Sequence, residues 1–148
     1  PKESFSRFHG LMPGALKSEW KQQKFFISLV ETCFMSVTVE DDEQNIAAFA
    51  ALDDTPIQMH SAAGAGTLWE EWFQACFEDT TMDSTNTLWF SCCLTEPETG
   101  IMVEILRTTF STMPELQHLL VFVPAGISQD DLAQLLLPFE GYFEALEE

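Results

Sequence analysis

The sequence predicts a mixed α/β sheet in which an antiparallel hairpin precedes a strand–helix–strand unit. Three stretches carry that prediction. Phe34 to Val39 alternates, with Met35, Val37 and Val39 on one face; a polar run from Glu40 to Asn45 and a second apolar strand, Ile46 to Leu52, follow, the pattern of a hairpin with a solvated tip. Asn86 to Leu94 places Leu88, Phe90, Cys92 and Leu94 opposite Trp89, Ser91 and Cys93, so apolar groups on both faces imply a sheet covered on both sides. Ile101 to Met113 reads as a helix before the apolar run Leu116 to Val123, and a crossover of about a dozen residues is what two parallel strands need.

The 148 residues read as one domain over positions 1–148, and the start at Pro1 reads as a piece of a longer polypeptide. Hydrophobic residues make up 46% of the chain, enough for a packed core. The net charge of -18, from 24 acidic and 6 basic residues, argues against nucleic acid and anionic membrane surfaces, which select Lys and Arg. Such a surface is either a soluble acidic coat or a docking face for a basic partner. No apolar run reaches the ~18 residues of a membrane span. Cys33, Cys76, Cys92 and Cys93 form no CxxC pair, so they read as buried thiols of a reducing compartment, with no metal site expected.

Before the hairpin, Phe5, Phe8, Leu11 and Met12 read as a short helical turn, and Leu16, Trp20, Ile27, Val30 and Phe34 place a helix from about Leu16 to about Leu29. The hairpin tip departs from the calcium-loop signature and reads as a turn. Ala47, Ala48, Ala50 and Ala51 predict close packing against a helix. After a small-residue loop, Ser61 to Gly66, Thr67 with Glu70 forms a capping-box pattern ahead of the stripe Leu68, Trp69, Trp72, Phe73, Cys76 and Phe77. In the helix after Gly100, Met102, Val103, Leu106, Phe110 and Met113 line the predicted inner side, and Pro114 ends it. The Leu116 to Val123 run reads as an inner parallel strand. Pro124-Ala125-Gly126 turns the chain. Ser128 with Asp131 caps a last helix, closed by Pro138.

The loop that opens the helix at Ile101 decides the functional reading. Free backbone N–H groups and the helix dipole make such a place an anion site in many α/β folds. Here the loop is Thr95-Glu96-Pro97-Glu98-Thr99-Gly100, with two carboxylates and no cation.

The second half of the element order resembles the core of GNAT-like acetyltransferases. Four segments resemble the cilia- and flagella-associated protein 61 family more closely: Phe26-Ile27-Ser28-Leu29-Val30-Glu31 running into Ser36-Val37-Thr38-Val39, then Asn86-Thr87-Leu88-Trp89-Phe90. Glu104-Ile105-Leu106-Arg107-Thr108-Thr109-Phe110 and Pro114-Glu115-Leu116-Gln117-His118-Leu119-Leu120 complete the set. The likeness runs from about Phe26 to about Pro124. It implies an acetyltransferase-like N-terminal domain of a ciliary axoneme protein. The implied partners are proteins of the radial-spoke base and the calmodulin- and spoke-associated complex.

Acetyltransferases of that fold hold the CoA pyrophosphate with a Gln/Arg-x-x-Gly-x-Gly/Ala loop. Aligned on its one glycine, this chain reads Pro97-Glu98-Thr99-Gly100-Ile101-Met102. Pro97 stands for the Gln/Arg and lacks an N–H. Met102 stands where a small residue permits close approach. Glu96 and Glu98 oppose a phosphate: two unit charges 4 Å apart repel by about 1 kcal/mol in water and about 4 near a protein surface. The degenerate loop (Pro97, Glu98, Gly100, Met102) is therefore expected to bind no acetyl-CoA or other cofactor. The residues considered as a general base, Glu31, Glu104, His60 and His118, form no recognisable pairing, so no catalytic residue is expected. Three readings follow: a non-catalytic structural domain of the axoneme, an active acetyl-CoA-dependent acyltransferase with an atypical loop, and an acidic binding module unrelated to cilia.

Overall fold

The computed structural model describes residues 9–11, 19–56, 69–77, 81–95, 100–123 and 126–146. Its elements are β1 (His9–Leu11), α1 (Glu19–Thr32), β2 (Met35–Glu40), β3 (Ile46–Asp53), α2 (Trp69–Cys76), β4 (Thr87–Thr95), α3 (Ile101–Thr112), β5 (His118–Val121) and α4 (Gln129–Leu136). A 3₁₀ turn, Leu137–Phe139, follows α4. The mixed α/β class is as the sequence predicts, and so are the hairpin and the strand–helix–strand unit. β2 and β3 are antiparallel neighbours, β3 is antiparallel to β4, and β5 is parallel to β4.

Every residue of β4 is buried. One of its edges is taken by β3. The other is shared: β5 pairs Thr87 to Phe90 and β1 pairs Cys93 to Thr95. Leu11 is therefore in a strand, not in the expected helical turn; the other residues of that turn lie outside the described positions. The opposing strand supplies backbone partners that local spacing does not show.

The sheet separates two sets of packed side chains. On one face Leu88, Phe90 and Cys93 of β4 meet Ala48, Ala50 and Leu52 of β3, with Ile101, Met102 and Ile105 of α3 above them and Phe139 beside Phe90. On the other face, Leu29 of α1 covers Ala51, Cys92 and Leu94, while Trp69 and Phe73 of α2 cover Trp89. The alanines of β3 pack closely against a helix, as predicted, and do so on both faces of the strand.

β4 does not alternate evenly. Its register to β3 slips between Ala51 and Leu52, where Cys92 faces Ala51 and Phe90 faces Leu52. Ser91 is the extra residue of this bulge, and an extra residue reverses the in/out order beyond it. Cys92 and Leu94 consequently lie with Trp89's face, and Cys93 with that of Leu88 and Phe90. The even alternation predicted for 86–94 fails at this point.

Three further expectations are corrected by packing. α1 begins at Glu19 and runs on to Thr32, and it buries Leu29, with Phe25 and Phe26 half-buried, while Ile27, Val30 and Phe34 face solvent. α3 buries Ile101, Met102, Ile105 and Thr109, with Leu106 and Met113 at the margin, and turns Val103 and Phe110 outward. β5 is short and half-buried, with β4 as its one partner among the described residues; it is parallel as predicted but lies at an edge. A helical stripe of apolar residues is wider than the surface that a sheet covers, so periodicity alone cannot choose its centre.

Local chemistry sets the ends of several elements. Asp41 Oδ1 accepts from the backbone N–H groups of Glu43 and Asn45 at 2.9 and 2.8 Å, closing the hairpin tip. Ser128 Oγ accepts from Asp131 N at 3.2 Å, the expected cap of α4. The expected cap of α2 at Thr67 lies outside the described residues, as does the Ser61 to Gly66 loop. Glu70 Oε1 instead accepts from Ser84 N at 3.3 Å.

Candidate functional site

The place to test is the C-terminal end of β4 and the start of α3. β4 carries the chain into the loop with both edges already hydrogen-bonded at Cys93, Leu94 and Thr95, by β3 and by β1. α3 then starts at Gly100, whose φ of 103° is left-handed and whose vacant Cβ position meets nothing within 4 Å. The glycine is there for its backbone angle, not for room. Gly100 has no side chain with which to cap this end of the helix, and first-turn N–H groups have no intrahelical acceptor.

The first-turn carboxylate of α3 is balanced by an ion pair. Glu104, in the first turn, is exposed and takes the Arg107 guanidinium nitrogen on both carboxylate oxygens at 2.7 and 3.0 Å. A carboxylate in a first turn is favoured by the helix dipole, and the pair commits the one arginine on α3. Met102, expected to crowd an approaching ligand, is buried in the core beside Ile101 and Ile105. It blocks nothing at the mouth; its bulk belongs to the helix–sheet contact. Pro97 and Glu98 lie outside the described residues, with Glu96 and Thr99.

The other candidates are dispersed. Glu31 is exposed near the end of α1, on the opposite face of the sheet from Glu104. His118 opens β5 opposite Thr87, and its buried Nε2 has no partner among the described residues. His60 lies outside the described residues. The buried thiols are poor nucleophiles, because the thiolate is the reactive form. Burial pushes the Cys92 thiol up to about 12. Cys93 is raised further by burial and by its neighbour Cys92, and Cys33 is raised by burial and by the charge of Asp53. Among the described residues, no group of three or more His, Cys, Asp or Glu side chains is placed to hold a metal ion.

Two arrangements escaped the sequence reading. Ser91, at the bulge, donates through Oγ to Asp53 Oδ2 at 2.6 Å, while Asp53 Oδ1 accepts from Phe34 N at 2.9 Å. One carboxylate thereby ties the end of α1 to β3 and β4. The bulge that aims Ser91 has no local signature. The second arrangement lies beneath α2. Glu70 Oε2, Trp89 Nε1 and His118 Nε2 are the buried side-chain atoms without a partner among the described residues, and they come from α2, β4 and β5, where the Trp69 and Trp89 rings meet at 5.3 Å. An isolated buried polar atom costs about 1–3 kcal/mol, so this wedge is less well satisfied than the α3 side.

Residues 9–147 match the family model described as the N-terminal domain of cilia- and flagella-associated protein 61. The chain belongs to this family. No curated protein matches it. Membership of the cilia- and flagella-associated protein 61 N-terminal family overturns the reading as an acidic module unrelated to cilia. The match also reaches beyond the 26–124 span of the sequence resemblance: it takes in β1, α4 and the turn after it. The strand that completes β4's second edge is therefore part of the family's domain. No helix among the described residues is long and apolar enough to cross a membrane.

Proposed function

We propose that this domain is a non-catalytic, acetyltransferase-like structural piece of the ciliary axoneme, docking subunits at the radial-spoke base within the calmodulin- and spoke-associated complex. One observation carries the reading. The strand end that leads to the α3 N-terminus is hydrogen-bonded on both edges by the chain itself, so its backbone offers a ligand nothing. The sequence adds to it: Glu96 and Glu98 in the adjoining loop oppose a phosphate, and Pro97 has no N–H to give. Family membership supplies the cilium, and the acidic surface supplies a means of contact with basic neighbours.

The acyltransferase reading keeps one observation in its favour. Gly100, at the N-cap of α3, offers the first-turn amides no side chain of its own, an arrangement that suits an anion. Affinity capture with the full chain from isolated axonemes tests the structural reading. Recovery of radial-spoke base components is the expected result. Their absence at low salt, with the chain folded, contradicts it.

A further inference from the structure

Among the described residues, three buried side-chain atoms have no hydrogen-bond partner: Glu70 Oε2, Trp89 Nε1 and His118 Nε2. Buried polar groups are as a rule paired, so three exceptions together call for a common cause. All of them belong to one corner of the fold, between α2 and the β4–β5 edge.

The strands set two of them side by side. β5 runs parallel to β4, with His118 opposite Thr87 and Leu120 opposite Trp89. Side chains alternate between faces along a strand. Leu120 and Phe122 pack with Trp89 beneath α2, whereas Leu119 and Val121 pack on the α3 side. His118, two residues before Leu120, therefore faces α2. Trp89 and His118 are diagonal neighbours on one face of adjacent strands, a spacing within reach of aromatic and long side chains.

α2 brings the third. The Trp69 ring meets the Trp89 ring edge to face at 5.3 Å, and Glu70 is the next residue of that helix. Its other carboxylate oxygen, Oε1, accepts from Ser84 N at 3.3 Å. Ser84 stands in the turn that leads into β4, and the carbonyl of Asn86 at the end of that turn accepts from His118 N at 3.0 Å. The carboxylate is thus held at the end of the corner where His118 enters the sheet.

The donor set decides the ligand. An indole N–H only donates, a carboxylate oxygen accepts, and an imidazole nitrogen does one or the other according to its tautomer. A cation would leave the indole hydrogen without an acceptor, and an anion would face the Glu70 carboxylate. A water molecule, with two donors and two acceptor sites, completes every bond in either tautomer. About three bonds to otherwise unpaired groups is the usual number for an internal water. We infer that Glu70, Trp89 and His118 hold one ordered internal water between α2, β4 and β5. It is a polar pin in a corner otherwise packed by Trp69, Phe73 and Met82.

The test is made on the isotope-labelled full chain in solution. The Trp89 indole proton should give cross-peaks to water of opposite sign in NOE and ROE spectra, the mark of a long-lived bound water. The Trp69 indole, whose N–H donates to the Asp54 carbonyl at 2.8 Å, should give none and serves as the control. Glu70→Leu with His118→Leu takes away both other partners and should abolish the Trp89 cross-peak. A crystal structure of the full chain should place one water oxygen within about 3.2 Å of all three atoms.

A Trp89 indole without a water cross-peak overturns the proposal, as does one bonded directly to Glu70 or His118 in the crystal. So does a cross-peak that survives the leucine pair unchanged. If the leucine pair does not fold, the spectra and the electron density of the unaltered chain decide on their own.

Discussion

On the α3 side of the sheet, Ile101, Met102, Ile105 and Phe139 close over Ala48, Ala50, Leu88 and Phe90, and each of them is buried. On the α1 side, Leu29 is the buried side chain of its helix among the described residues, while Ile27 and Val30 face water. Both helices lie on the same β3–β4 strands. The difference is one of degree: α3 buries Ile101, Met102 and Ile105 and turns Val103 and Phe110 outward at 37 and 39%, whereas α1 leaves Ile27 and Val30 more than half exposed. The face under α1 and α2 is packed as well, with Ala51, Cys92, Leu94, Trp69, Phe73 and Trp89 buried there, so the contrast lies in the outward side chains of the two helices and not in an empty side of the sheet.

That contrast orders the expected effects of substitution. Ile105→Ala, at a fully buried position of α3, should cost about 2–5 kcal/mol in chemical denaturation. A cost below about 1 kcal/mol would mean that the α3 side is not the stabilising one. Met102→Gly belongs to the same class, because the side chain is in the core; it reports on stability, not on the loop.

Alkali should act next. The raised thiols of Cys92 and Cys93 stay protonated in the folded chain after unfolded thiols, at 9.0, begin to ionise. Stability should therefore be complete below pH 9 and fall from there toward about 12, the value for Cys92, by up to about 1.4 kcal/mol per pH unit for each thiol. Cys92→Ala should flatten that slope in alkaline melts; an unchanged slope would place the loss elsewhere.

Leu106→Ala tests the margin of the same helix. Its half-burial against the core predicts about 1–2 kcal/mol, less than for a fully enclosed side chain. Val30→Ser, on the exposed face of α1, should change stability by no more than about 0.5 kcal/mol; a cost near that of Ile105→Ala would erase the distinction between the two sides.

The smallest effect is at the hairpin tip. Hydrogen bonds from the Asn45 backbone and side chain hold the Asp41 carboxyl below its ordinary 3.8. The turn is supported above pH 3.8 and loosens as the pH falls below it, read as faster exchange of the Asn45 amide; exchange independent of pH in that range, after correction for the intrinsic rate, would deny Asp41 this part.

Much of this architecture is written locally. The hairpin follows from Met35, Val37 and Val39 alternating before a polar tip, the cap of α4 from Ser128 and Asp131, and the end of α3 from Pro114. What the residues could not announce are the consequences of long-range pairing. Which stripe of α1 turns inward depends on Ala51, Cys92 and Leu94 lying under Leu29. The order of faces along β4 depends on one extra residue, Ser91, against a partner strand. β1 is three residues long and has no period of its own; β4 makes it a strand. Glu96, Pro97 and Glu98 of the loop lie outside the described residues, and Met102 was misplaced by the alignment, because a first-turn residue faces the core or the mouth according to how the helix sits on the sheet. Glu70, Trp89 and His118 share no spacing at all, and the burial of their polar atoms comes with the packing of α2 beside β4 and β5.

The central claim is that the mouth ahead of Ile101 holds no nucleotide thioester. Isothermal titration of the full chain with acetyl-CoA addresses it directly. No heat of binding up to millimolar ligand is the predicted outcome. Saturable binding at micromolar concentration, lost when Gly100 is replaced by Val, would contradict it.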